Sequence, residues 1–327
     1  MQVIIPLAGK GTRLRPHTHI TPKPMLRVAG RPVIDWVMDR LADLDIEELI
    51  FITGHLKDQV ETYARTHYQM PSRFIEQKVQ DGTAGAVNLA RPFVHGPVMI
   101  VFVDTVFEAD LNIARSLDAD GIIWVKEVED YQRFGVVVTD DSGSMTQIVE
   151  KPSEPVSKLA NIGLYYIRNV EALWRGIDHV LATSPVKGEF YLTGAFQHMI
   201  DHGARIVTAE VGGWYDCGQL ETILDTNAVL LDKGAARHPP VGVDVRLVEP
   251  VLIEPDCTLE RCTIGPNVTL ERGCTVRDAA IANAIVGAGS TIERSTLTHA
   301  MLGDLVRITD FTGSGTIGAH SEISGRA

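Results

Sequence analysis

At 327 residues the chain is too long for one compact core, so two domains are expected. Its 45% hydrophobic and 22% charged residues are the balance of a folded soluble protein, and no apolar run approaches the roughly 20 residues of a membrane span. Thirty Lys and Arg against 42 Asp and Glu leave a net charge of −12, which argues against a general nucleic-acid or anionic-membrane surface. Four cysteines without a CxxC pair speak against a disulfide framework or zinc knuckle, and no cationic, then apolar, segment opens the chain. A reduced, cytoplasmic protein is the expectation.

The N-terminal third alternates strand and helix. Residues 2–8 (QVIIPLA) are β-branched and apolar, a buried strand that runs into the Gly-rich turn 9–13. Ile34, Val37, Met38, Leu41 and Leu44 recur at helical spacing. Strands are predicted at 48–53, 73–77 and 98–103, and helices at 57–68 and 83–90. This alternation implies a mostly parallel sheet covered on both faces, with ligands beyond the carboxyl ends of its strands. The turn at 9–13 and Asp104 both fall there. Short β segments at 121–126, 135–139, 146–150 and 162–167 follow, then helices at about 169–182 and 193–203, a strand at 205–211 and a helix at about 219–232. Trp36 and Trp174 fall on apolar helix faces and are expected in the core, and Thr193 is placed to cap its helix.

Beyond a Gly/Pro-containing connection at 234–242 the sequence repeats. Ile253, Leu259, Ile264, Leu270, Val276, Ile281, Val286, Ile292, Leu297, Leu302 and Ile308 are spaced by five or six residues, and the residue two before each is small. That period marks a solenoid in which three short strands make one triangular turn. The pattern resembles the left-handed β-helix of hexapeptide-repeat proteins. It makes Cys257, Cys262 and Cys274 small inward-facing fillers rather than metal ligands.

Charge is unevenly placed. The first acid is Asp35, preceded by Lys10, Arg13, Arg15, Lys23, Arg27 and Arg31. In Gly9-Lys10-Gly11-Thr12-Arg13-Leu14-Arg15-Pro16, two glycines let backbone N–H groups approach an anion, and Arg13 offers a planar fork for phosphate oxygens. Lys23, ten residues on, adds a point charge. The segment is neither a Walker A loop nor a dinucleotide turn.

The wider stretch PLAGKGTRLRPHTHITPKPMLRVAGRPVIDWV resembles the signature of sugar-1-phosphate nucleotidyltransferases (NDP-sugar pyrophosphorylases). Gln77 with Asp81-Gly82-Thr83-Ala84-Gly85, Asp104, Phe134-Gly135, Val149-Glu150-Lys151-Pro152, Asn161-Ile162-Gly163-Leu164-Tyr165 and Trp214-Tyr215-Asp216-Cys217-Gly218 match the family in order, over about residues 1–232. The resemblance implies a Rossmann-like α/β core with a mixed, mostly parallel sheet (1–236), followed by a short left-handed parallel β-helix (245–327). Leu7, Ala8, Gly9, Gly11, Thr12 and Arg13 would bind the nucleotide, with Gln77 and the Gly82 backbone reading a pyrimidine edge. Arg13 and Lys23 would be the catalytic cations, and Asp104 and Asp216 would hold Mg²⁺. Gly135, Glu150, Lys151 and Asn161 would bind the sugar phosphate, although Asn161 also reads as a turn asparagine. Val103 stands where the family usually has glycine. Small-molecule substrates are implied, dTTP or UTP with glucose 1-phosphate first. An N-acetylglucosamine-1-phosphate uridylyltransferase and a mannose-1-phosphate guanylyltransferase are the alternatives within the family. A non-catalytic nucleotide-sugar-binding regulator is the alternative outside it. The β-helix, with only His299 and His320 beyond residue 245, is expected to mediate homo-oligomer contacts or regulation rather than acyl transfer.

Overall fold

Strand β1, Gln2–Pro6, is buried at every position and takes the centre of a nine-stranded sheet in the computed structural model, which describes residues 1–116, 118–242 and 244–325. The last two residues of the 245–327 span lie outside that description. Contacts divide the chain into two compact units: Met1–Lys10 with Val37–Trp214, and Gly11–Trp36 with Tyr215–Ala327.

In the first unit β1 pairs in parallel with β2 (Glu48–Thr53) and β4 (Val98–Val101), and β3 (Ser72–Glu76) extends the parallel set beyond β2. Further along the chain come β5 (Gly121–Glu127), β6 (Gly135–Thr139), β7 (Met145–Glu150), β8 (Leu159–Ile167) and β9 (Ile206–Glu210). The order is β7-β6-β8-β4-β1-β2-β3, with β5 pairing β8 and β9. Strand β8 runs antiparallel to β4, β5 and β6, so the sheet is mixed. The near-continuous Val/Ile runs of β1, β2 and β4 follow from burial on both faces.

Helices α1 (Val33–Leu41), α2 (Lys57–His67), α3 (Thr83–Asn88), α4 (Val170–Leu181) and α5 (Leu192–Asp201) carry apolar faces. Leu173 and Ile177 of α4 and Phe196 of α5 join Ile100 and Tyr165 of the sheet in one cluster. Emptying the Phe196 site would cost about 3–5 kcal/mol. Trp174 is in this core as expected, but Trp36 is not: it is half-buried, donates its indole N–H to Val28 O at 3.0 Å and carries the Arg31 guanidinium 4.6 Å above its ring. The strand expected to start at 162 starts at Leu159, so Asn161 is a strand residue and the turn reading falls. Among the described residues, no helix is long and apolar enough to cross a membrane.

In the second unit, α6 (Leu220–Leu230) precedes the β-helix. Every aliphatic position named from the repeat pairs with the one three steps ahead: Ile253 with Leu270, Leu259 with Val276, Ile264 with Ile281, and so on to Ile292 with Ile308. One coil is therefore 16 or 17 residues here, and the strands are parallel. Residues 280–286 and 296–302 are continuous strands that turn a corner and join two faces into one sheet. A residue of positive φ marks each corner at five- or six-residue steps, from Asp256 (64°) through Asn267 (60°), Gly273 (73°) and Asn283 (47°) to His320 (60°). Gly, Asn, Asp and His enter this region at least cost. Arg261 and Arg294 sit at such corners too. Each grips one carboxylate with two nitrogens, Arg261 on Asp278 at 2.7 and 2.8 Å and Arg294 on Asp310 at 2.6 and 2.9 Å. Cys262 and Cys274 fill the interior as expected, whereas Cys257 is half-buried with its thiol on Glu271 O at 3.2 Å. None of the four cysteines is in a disulfide.

Candidate active site

The four parallel strands of the first unit end at one sheet edge, and the sequence continues there as Leu7-Ala8-Gly9, Gly54, Gln77 and Asp104. Gly54 is required by packing, because a Cβ would stand 2.7 Å from the Ala8 carbonyl. A Cβ on Gly9 would meet nothing within 4 Å, so packing does not demand glycine there. Gln80 Nε2 donates to Ala8 O at 2.8 Å and braces this turn.

Gln77 is buried, and its Nε2 donates to Asp81 Oδ1 at 2.9 Å and Gly82 O at 3.1 Å. Both partners are acceptors, so the amide orientation is fixed and Oε1 remains as the acceptor end. Gly82 has φ 115°, and a Cβ there would lie 2.5 Å from the Phe190 backbone. The loop is thus locked before α3 begins.

Gly135, Glu150 and Asn161, expected to bind the sugar phosphate, stand close together. Glu150 lies opposite Gly135 in the β7–β6 pair. Asn161 donates from Nδ2 to Gly135 O at 2.7 Å and accepts a hydrogen bond from the buried Tyr165 hydroxyl. A Cβ on Gly135 would stand 2.3 Å from Asn161 Nδ2 and 3.0 Å from Glu150 Oε2, so glycine is the residue that leaves this floor open. Thr193 does not cap α5; it sits inside the helix and donates its hydroxyl to Glu150 Oε2 at 3.2 Å. The sequence does not single it out, because only the packing of α5 on β7 brings it to its partner. Burial raises the Glu150 carboxyl above its ordinary pKa, and Lys151 partly offsets this from 3.5 Å. Lys151 is exposed, holds φ at 45° and lies 4.8 Å from the Tyr191 ring centre. Trp214 packs edge-on against Phe134 at 4.8 Å. Val103 is buried, so its branched side chain packs into protein.

The cationic loop and Asp216 belong to the second unit. Thr12–Leu14 forms a 3₁₀ turn entered through Gly11, whose φ is 59°. A Cβ on Gly11 would lie 3.0 Å from Thr18 Cγ2 and 3.2 Å from Lys23 Cβ, so the turn and Lys23 lie close together. Thr18 Oγ1 donates to Gly11 O at 2.8 Å, and His17, buried and held neutral-leaning by burial, shares a hydrogen bond with Thr316 Oγ1 at 2.6 Å. Asp216 accepts from Gly218 N at 2.8 Å through Oδ1, and its carbonyl accepts from Thr226 at 2.9 Å. Among the described residues no three His, Cys, Asp or Glu side chains form a closed metal site. Mg²⁺ does not need one, since it binds through one or two carboxylates plus phosphate and water; Asp104 in the first unit and Asp216 in the second are each half-buried.

A nucleotidyl transferase family model matches residues 2–233, a span that contains every residue expected in the site. The chain belongs to that family. Within the nucleotidyl transferases it is 32% identical over 267 residues to the bifunctional protein GlmU of Methanocaldococcus jannaschii, covering 81% of this chain and 61% of that protein. The chain thus spans about three-fifths of that relative's length. It is 28% identical over 328 residues to a glucose-1-phosphate thymidylyltransferase of Streptomyces antibioticus, covering 94% of this chain and 84% of that one. Among solved structures, a UDP-glucose pyrophosphorylase complexed with UDP-glucose superposes with a TM-score of 0.61 at 22% identity. It covers 71% of this chain and 98% of that one, a likeness of fold.

Proposed function

We propose that the chain transfers a nucleotidyl group from an NTP to a sugar 1-phosphate, releasing pyrophosphate and forming an NDP-sugar. The observation that carries this reading is the gathering, at one edge of one sheet, of the Gly9 turn, the locked Gln77–Gly82 loop, Asp104 and the Gly135–Glu150–Asn161 pocket. The sugar phosphate oxygen attacks the α-phosphorus in line and the pyrophosphate oxygen leaves. Such a step needs little covalent help, so positioning and charge neutralisation supply the rate.

Arg13 grips the β- and γ-phosphates and the charge that grows on the leaving group. Lys23 bridges the α-phosphate and the attacking phosphate. Lys151 holds the sugar phosphate, while Glu150, Asn161 and the Gly135 backbone bind sugar hydroxyls. Leu7, Ala8, Gly9, Gly11 and Thr12 line the nucleotide with backbone groups. Asp104 and Asp216 would hold Mg²⁺, which neutralises phosphate charge when bound. With Nε2 committed to Asp81 and Gly82, Gln77 presents Oε1 to the base and accepts from an imide N–H. Uracil and thymine carry that N–H at N3 and guanine carries one at N1, whereas cytosine and adenine carry none; UTP or dTTP is our reading, with GTP the alternative that the substrate matrix separates. Glucose 1-phosphate is the leading acceptor, supported by the name of the thymidylyltransferase relative. We also infer a cytoplasmic homo-oligomer, with the catalytic domain at 1–236 and the β-helix at 245–327 mediating association.

Pyrophosphate release with Mg²⁺ over a matrix of NTPs and sugar 1-phosphates tests the reading. Turnover with UTP or dTTP is expected, and silence in every pairing would sink it.

A further inference from the structure

Two arginines of the basic stretch, Arg27 and Arg31, have no part in the transfer as proposed. Arg31 is absorbed by its stack on Trp36. Arg27 is tied differently. It lies in the two-residue strand Arg27–Val28, four residues after Lys23, and that strand pairs with Arg31–Pro32. Its Nη2 donates to Glu254 Oε1 at 2.9 Å and to Gly30 O, and its Nε donates to Glu271 Oε1 at 2.7 Å. Glu254 follows Ile253 and Glu271 follows Leu270, and those two residues pair on consecutive coils. One guanidinium therefore bridges two carboxylates carried by neighbouring coils. Glu271 is 5% exposed, so without this cation its ionised form would be stranded. A planar fork spans the two acceptors in a way a lysine ammonium does not.

A second tie lies beside it. The Ala29 amide donates to Asn227 Oδ1 at 3.0 Å. The same oxygen accepts from the Thr269 hydroxyl at 2.7 Å, and Asn227 Nδ2 donates to Asn267 O at 3.3 Å. Asn227, on α6, has no exposed surface. The chain just after Lys23 is thus tied to the same coils of the β-helix directly through Arg27 and, from Ala29, through Asn227 of α6, and both ties use groups of fixed geometry.

We propose that Arg27 and Asn227 are positioning residues for the transfer: they anchor the Lys23 segment to the first coils of the β-helix, which thereby sets where the Lys23 ammonium stands. This rests on the role given to Lys23 above. Arg27 touches no substrate, so its removal acts through Lys23. The expected result for Arg27→Ala is a tenfold or greater fall in kcat with KM for either substrate changed less than threefold, and partial recovery in Arg27→Lys. On a Lys23→Ala background the same change should cost less than twofold, because the group it positions is gone.

Arg27→Ala strands two carboxylates and can unfold the unit. The triple variant Arg27→Met, Glu254→Gln, Glu271→Gln removes the tie without stranding charge and should show the same fall in kcat. A folded triple variant with wild-type kcat overturns the proposal, as does a loss that persists undiminished on the Lys23→Ala background. Amide exchange adds a readout independent of turnover: exchange at residues 23–30 should quicken at least tenfold in Arg27→Ala while residues 291–309 are unchanged. Unchanged exchange at 23–30 refutes the tie itself, whereas a wild type silent with every substrate pair refutes the reaction.

Discussion

Replacing Glu271 by glutamine should change how stability depends on pH. Burial pushes this carboxyl from 4.5 up to about 7; Arg27 opposes the shift, and Glu254 and Asp304 add to it. The folded chain therefore binds this proton more tightly than the unfolded chain. Its contribution to stability is full below 4.5 and is lost as pH climbs through 7, the reverse of an ordinary salt-bridged acid. For values of 4.5 unfolded and about 7 folded, the loss between pH 5 and pH 8 is about 2.5 kcal/mol. Other groups titrate in the same window, so the quantity to measure is the difference between wild type and Glu271→Gln. Urea unfolding of both proteins at pH 5, 6, 7 and 8 gives it. Glutamine has no proton to lose, so the variant should gain on the wild type by about 2.5 kcal/mol across that range. A flat difference, or one that grows toward acid, would show that Glu271 is not held in a desolvated, partly neutral state.

Other substitutions probe the pocket and the loop. Gly135→Ala places a methyl 2.3 Å from Asn161 Nδ2 and should raise KM for the sugar phosphate at least tenfold with little effect on KM for the NTP. Lys23→Ala and Asp104→Asn should each lower turnover by at least a hundredfold while circular dichroism shows a folded chain. CTP should be used at least a hundredfold less well than UTP in kcat/KM, since Gln77 Oε1 would face a lone pair on the cytosine ring; equal use of the two would remove Gln77 as the base reader. Thr193→Val leaves one Glu150 oxygen without its donor and should push that carboxyl further up, moving the acid limb of the pH–rate profile to higher pH.

Sequence reasoning reached the β-helix in detail because its signal is local. A period of five or six residues with a small partner two positions earlier specifies both what points inward and what stacks on what. The buried strands at 2–8, 48–53 and 98–103 were legible for the same reason, although β1 ends two residues early at Pro6 and β4 two residues early at Val101, where the chain turns toward Asp104. Thr193 and Trp36 were misplaced because helical spacing says which face is apolar but not which polar group waits nearby. Glu150 stands 43 residues from Thr193, and the carbonyl that holds Trp36 lies in a two-residue strand too short to leave a pattern. Arg27 was opaque for a stronger reason. Its partners are 227 and 244 residues away, and nothing in a charge run tells a solvated cation from one that clamps two coils.

The corner pairs of the β-helix constrain how this gene can change. Arg261 with Asp278 and Arg294 with Asp310 meet because they are 17 and 16 residues apart, one circuit of the coil. Inserting a single residue between 278 and 294 would shift everything after it by about a sixteenth of a circuit, one step along the strand, which exchanges inward and outward positions. Aliphatic side chains would then face water, and Arg294 would leave its corner. Inserting or deleting a whole circuit keeps every column in phase. The natural unit of mutation in this half of the protein is therefore a block of about sixteen residues, and length differences among functional variants should come in multiples of it.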